Sequence, residues 1–130
     1  MNFFEETREE FKWLYEKYKL DEIEKSESPR EFGNAVIVLK LGNIRMRVIK
    51  DRGQIFVDFC SPFQKNKYFD ICQLVTFIHR NDKKKGVLYK YPEIGTSQEE
   101  QFKNINYILQ ANMDLIIPLL NDKEVLNNFG

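Results

Sequence analysis

His79 is the single histidine of this 130-residue chain, and Cys72 lies seven positions before it. Together they are the nearest approach to a base and a nucleophile in the sequence. On one helix, seven residues separate two groups by about two turns, roughly 10 Å along the axis. A base activates a thiol only within hydrogen-bond reach, so this pair does not fit direct activation. Asp58, Asp70 and His79 make a second conceivable acid–base set, which the fold would have to gather in a deep pocket. No Cys/His group has metal-ligand spacing, so a metal site is not expected. Gly33, Gly42 and Gly53 stand alone as turn glycines and do not form a phosphate-cradling loop. The simplest place for His79 is a helix C-terminus, where the dipole favours a cation. Neither a catalytic residue nor a cofactor is expected.

Positive charge is the next feature with chemical potential. Arg45, Arg47, Lys50, Arg52 and the run Lys83-Lys84-Lys85 crowd the centre of the chain, and Phe56 and Tyr68 offer rings on which bases stack. The formal net charge is nevertheless zero. It is segregated, with net −4 over residues 1–31, +8 over 32–90 and −4 over 91–130. Acidic ends oppose a phosphate chain, so nucleic acid is disfavoured. An RNA- or phosphate-ligand-binding module using the basic segment stays as the alternative. The segregation fits a polar interface that steers a partner. More often such segregation is intramolecular, with acidic helices beside a basic sheet joined by rim ion pairs of small worth, and that is the expectation here.

The elements that must position these groups are legible from periodicity. Asn2 and Glu5 have capping-box-like spacing, and Phe3, Phe4, Thr7, Phe11, Leu14, Tyr15 and Tyr18 then recur at helical intervals, predicting one docked helix ending near Lys19. Leu20 to Ser26 reads as a short edge strand and Ser28-Pro29 as a turn. Ala35 to Leu41, Ile44 to Ile49 and Ile55 to Cys60 are three strands. Gly42-Asn43 between the first two is a type II′ signal, and Asp51-Arg52-Gly53 suits a type I turn closed by a left-handed glycine and a bulge, with Asp51 capping it. Asp70 is a plausible cap for a helix carrying Ile71, Leu74, Val75 and Ile78, closed by Asn81 to Gly86. Val87 to Tyr91 suits a short strand or extended connector. Ser97 and Glu100 make a capping box for a helix that Pro118 should kink or stop within a turn. The fold class is therefore α+β over a single domain, residues 1–130: an N-terminal helix, an antiparallel meander of three to five strands, and C-terminal helices on one sheet face.

Bulk composition agrees with a globular chain, 42% apolar and 31% charged. Two cysteines, Cys60 and Cys72, suit a reducing compartment better than a disulfide scaffold. No run reaches the roughly 18–20 apolar residues of a membrane span. The opening MNFFEETREE lacks the basic and apolar regions of a signal peptide, so the cytoplasm is the expected location.

Lys50-Asp51-Arg52-Gly53-Gln54-Ile55-Phe56-Val57-Asp58, then Tyr68-Phe69-Asp70-Ile71, then Gln101 to Leu120 form an ordered pattern. It is a hairpin strand ending in a basic-Asp-Arg-Gly-Gln turn, an aromatic–Val–Asp strand, a Tyr-Asp helix start and a C-terminal helical segment. In this the chain resembles small bacterial immunity proteins of polymorphic-toxin and contact-dependent inhibition systems. The resemblance implies a non-enzymatic protein that binds a cognate toxin domain and neutralises it by occlusion. Candidate contacts are Arg52, Gln54, Tyr68 and Asp70, with the acidic face of the first helix represented by Glu9 and Glu16. Immunity proteins against nucleases are often markedly acidic, and the basic centre here departs from that, leaving the toxin's class open.

Overall fold

The computed structural model describes residues 2–28, 30–31, 33–82 and 89–129. Helices α1 (Phe3–Glu10) and α2 (Lys12–Tyr18) precede strands β1 (Asp21–Ser28), β2 (Asn34–Leu41), β3 (Ile44–Asp51) and β4 (Gln54–Cys60). A short β5 (Tyr68–Asp70) runs directly into α3 (Ile71–Ile78), and α4 (Gln98–Leu120) and α5 (Lys123–Asn127) follow. The strands form an antiparallel sheet in the order β1-β2-β3-β4-β5, which is the expected α+β meander with five strands. No described helix is long and apolar enough to cross a membrane.

Strand alternation decides which face is covered. Ile37 and Leu39 of β2, Met46 and Val48 of β3, and Val57 and Phe59 of β4 share the inner face and are fully buried. The helices dock there, with Phe11, Leu14, Leu74, Phe102 and Ile105 joining the same core. The outer face carries exposed Lys40 and Arg45 and half-buried Val36, Ile49 and Phe56. Residues directly opposite in an antiparallel pair point to the same side, so every outer-face neighbour follows from the register.

The N-terminal segment is two helices where periodicity predicts one. Asn2 caps α1 as expected, its Oδ1 accepting from the Glu5 amide at 2.9 Å. The break falls at Phe11, with φ −101° and ψ 19°, whose ring packs edge-on to Phe102 at 5.6 Å. One turn earlier the buried Thr7 hydroxyl donates back to the Phe3 carbonyl at 2.7 Å, a bond that bends helices. Side-chain periodicity continues through such a break and does not report it.

The turns agree in one case and differ in the other. Gly42 has φ +60° and Asn43 does not enter the positive region, as a type II′ turn requires. At the second reversal Asp51 pairs with Gln54, leaving a two-residue loop in which Arg52 (φ 52°) and Gly53 (φ 82°) are both left-handed. That is the type I′ pattern, not the expected type I turn with a bulge. The oxygen that braces it is Asn34 Oδ1, accepting from the Arg52 amide at 2.8 Å, where Asp51 was expected to cap. Asp70 and Ser97 cap α3 and α4 as their spacing predicts. Helix α4 runs through Pro118 and ends two residues later at Leu120. Pro29, the run Lys83 to Lys85, Gly86 and Val87 lie outside the described residues.

β1 is an edge strand, as expected, and its Asp-Glu-Ile-Glu-Lys-Ser-Glu-Ser text keeps the edge charged against pairing with other chains. The second vulnerable edge is internal. β5 pairs only with Asp58, Phe59 and Cys60, so among the described residues the first half of β4 has no neighbouring strand on that side. Side chains take its place. Gln101 accepts from the Ile55 amide at 2.7 Å through Oε1 and donates through Nε2 to Gly53 O and Thr96 O, each at 2.9 Å. The Tyr91 hydroxyl accepts from the Val57 amide at 3.1 Å and gives its single proton to the nearer acceptor, Asp70 Oδ2 at 2.7 Å. Burial, and then the Asp70 charge, push the Tyr91 phenol well above its usual range, so it stays a neutral donor. Tyr91→Phe should cost about 1–2 kcal/mol, because the Val57 amide and an Asp70 oxygen lose their partner. Urea unfolding should show a lower midpoint with an unchanged slope.

Candidate functional site

The outer sheet face holds the densest functional geometry. Arg47 and Asp58 are cross-strand partners, joined by two parallel hydrogen bonds of 2.8 and 2.6 Å. The guanidinium also lies 3.7 Å from the centre of the Tyr68 ring. The Asp58 hydrogen bonds raise the Arg47 pKa further, so the guanidinium keeps its charge, and the paired bonds hold it rigidly. Arg47 is thereby committed, and it does not act as a free cation for a phosphate chain.

One step along the strands, a single cross-strand row runs Asp21, Lys40, Arg45, Cys60, Tyr68. The loop of residues 61–67 rises beside its Cys60–Tyr68 end. It is held by the Cys60 thiol, whose single proton goes to the nearer carbonyl, Gln64 O at 3.3 Å, and by Ser61 Oγ, which accepts from the Phe63 and Gln64 amides. Row and loop together enclose a cavity of about 450 Å³, whose lining includes Lys40, Arg45, Ser61, Lys65 and Tyr68. Lys40, Ser61 and Lys65 are not among the candidates that composition suggests. Lys40 was within reach of it: counting outward from Gly42-Asn43 pairs Leu41 with Ile44, then Lys40 with Arg45.

The six candidate contacts do not share one surface. Arg52 and Gln54 sit at the β3–β4 tip, while Tyr68 stands opposite Cys60 at the far end of β4, roughly 20 Å away at strand rise. Asp70 lies beside Asp58, with one carboxylate oxygen on the Cys72 amide and the other on Tyr91. Glu9 and Glu16 belong to the helical layer on the opposite side of the sheet. Glu9 joins Glu6, Glu10 and Glu99 around a shallow depression, and burial, then Glu6, raises the Glu10 carboxyl. Glu16 faces Lys12 at 3.9 Å, an exposed helical pair of little worth.

No protein family, curated protein or solved structure matches this chain.

The acid–base sets are not assembled. Asp58 is held by Arg47 and Asp70 by Cys72 and Tyr91, whereas His79 caps the far end of α3. Its Nε2 lies 2.6 Å from Oδ1 of the fully buried Asn112. Asn112 Nδ2 donates to Ile108 O, so its Oδ1 is the acceptor and His79 Nε2 carries the proton. Burial, followed by the Asp70 charge, pushes the Cys72 thiol up to about 12, the reverse of activation.

Charge segregation acquires a sharper meaning. Ion pairs among the described residues are Arg8–Glu22, Lys12–Glu16, Lys17–Asp114, Arg47–Asp58 and Lys103–Glu99. None joins the basic centre, residues 32–90, to either acidic end. The reading in which acidic helices neutralise a basic sheet through rim pairs therefore finds no support among them.

Proposed function

We propose that this chain is a non-enzymatic, immunity-type binding protein that neutralises a cognate toxin domain by occluding it, acting in the cytoplasm of the producing cell. The observation that carries the reading is the basic end of the outer sheet face, where Lys40, Arg45 and Lys65 gather beside the rigid bracket of Arg47, Asp58 and Tyr68, with no ion pair to the acidic ends among the described residues. The resemblance along residues 50–58, 68–71 and 101–120 supports the same reading. A partner with an acidic patch would be steered to this end of the face by charge and held by a few desolvated anchors. Tyr68 is the best placed anchor, a half-exposed ring already fixed by a cation. An interface of ordinary size would cover about 800 Å² on each side.

Co-expression with the toxic product of an adjacent gene tests the proposal. The expected result is restored growth and a stable complex in pull-down, with Tyr68→Ala weakening binding by at least about tenfold. Unchanged killing with no complex would sink it.

A further inference from the structure

The cavity at the Lys40–Arg45 end of the sheet is built as an anion site, and its construction does not depend on the toxin reading. Lys40 and Arg45 stand directly opposite each other on β2 and β3. Like charges in that position repel, and sheets ordinarily avoid them. Asp21 is the next residue across from Lys40, yet it forms no ion pair with it. Lys65 adds a third cation from the loop, and no acidic residue lines the cavity. None of the three cations has an ion-pair partner among the described residues.

Ser61 supplies the second, independent observation. Its side chain is buried, lines the cavity, and has its oxygen occupied as acceptor by two backbone amides. Its hydroxyl proton has no acceptor among the described residues. A buried donor without an acceptor is unfavourable unless something supplies a lone pair. Three cationic residues and Ser61 thus line one cavity. A single carboxylate carries one charge, whereas a phosphate monoester or diphosphate brings two or more on a compact group with several acceptor oxygens. The volume, about 450 Å³, leaves room for an organic body beside Tyr68, Asn43 and Asn66.

We propose that this cavity binds a small phosphate-bearing molecule, its phosphate held by Lys40, Arg45, Lys65 and the Ser61 hydroxyl. Titration calorimetry of the purified chain, without any toxin, tests this with inorganic pyrophosphate and AMP as probes. Saturable binding at low salt is expected, weakening as salt rises. Arg45→Ala and Lys65→Ala should each weaken it by tenfold or more, while Arg52→Ala, a cation at the other end of the sheet, should leave it unchanged. These positions are exposed, so melting curves should coincide with the parent's. No saturable binding of either probe, or equal loss on Arg52→Ala, overturns the site. A 5′-phosphorylated and a 5′-hydroxyl RNA oligonucleotide form a further arm. Binding that follows oligonucleotide length and ignores the 5′-phosphate would mean a strand track and overturn the small-molecule assignment. Toxin protection by the Arg45→Ala chain is read separately, so either proposal can fail alone.

Discussion

Phe102→Ala should destabilise the protein by about 3–5 kcal/mol, a large part of the roughly 5–15 kcal/mol that holds a domain of this size together. Phe102 is fully buried where α4 meets α1 and the α1–α2 break. Its ring touches Phe3 at 5.9 Å and Phe11 at 5.6 Å. Truncation removes the aromatic surface from both contacts and leaves a void that three elements cannot close without moving. Tyr107 on the same helix is more than half exposed. Tyr107→Ala should therefore change stability by less than about 0.5 kcal/mol. Chemical denaturation of both variants checks the contrast. A Phe102→Ala cost near that of Tyr107→Ala would contradict the docking of α4 on the N-terminal helices.

Gln101→Met is the second large effect, about 2–4 kcal/mol despite conserving side-chain length. The apolar replacement leaves the buried Ile55 amide, and with it Gly53 O and Thr96 O, without the partner that Gln101 provides. The loss is specific to one strand edge, so it has a local signature. Amide hydrogen exchange at Ile55 should accelerate far more than at Val48, whose strand is paired on both sides. Uniform acceleration across the sheet would mean that Gln101 acts through general packing.

The meander was legible because its information is local. Alternation in β3 and β4 names the inner residues, and Gly42 marks a turn that needs a left-handed residue. Arg52 shows where locality ends. An arginine at positive φ is not announced by its own chemistry, and the group that stabilises it, Asn34, is 18 residues away. Gln101 reads as an ordinary polar residue of an amphipathic helix until the strand it completes is in place. The candidate site divides in the same way. Arg45 and Tyr68 were visible as charge and aromatic. Lys65 and the Ser61 hydroxyl reach the cavity through the path of a loop, which no residue pattern specifies. Arg47, conspicuous in the sequence as part of a basic cluster, is neutralised by Asp58 across the sheet.

The side-chain seal on β4 also has a schedule. Ile55 leaves the ribosome 46 residues ahead of Gln101. At elongation rates of about 5–20 residues per second, that is a delay of about 2–9 s. Throughout that interval β2, β3 and β4 are free to pair, since their hairpins need nothing from downstream. The growing chain would then display an apolar sheet face that only α1 and α2 can cover, and a strand edge that nothing yet seals. Translation speed between residues 60 and 100, and the presence of a chaperone there, should govern how much of this protein is recovered folded.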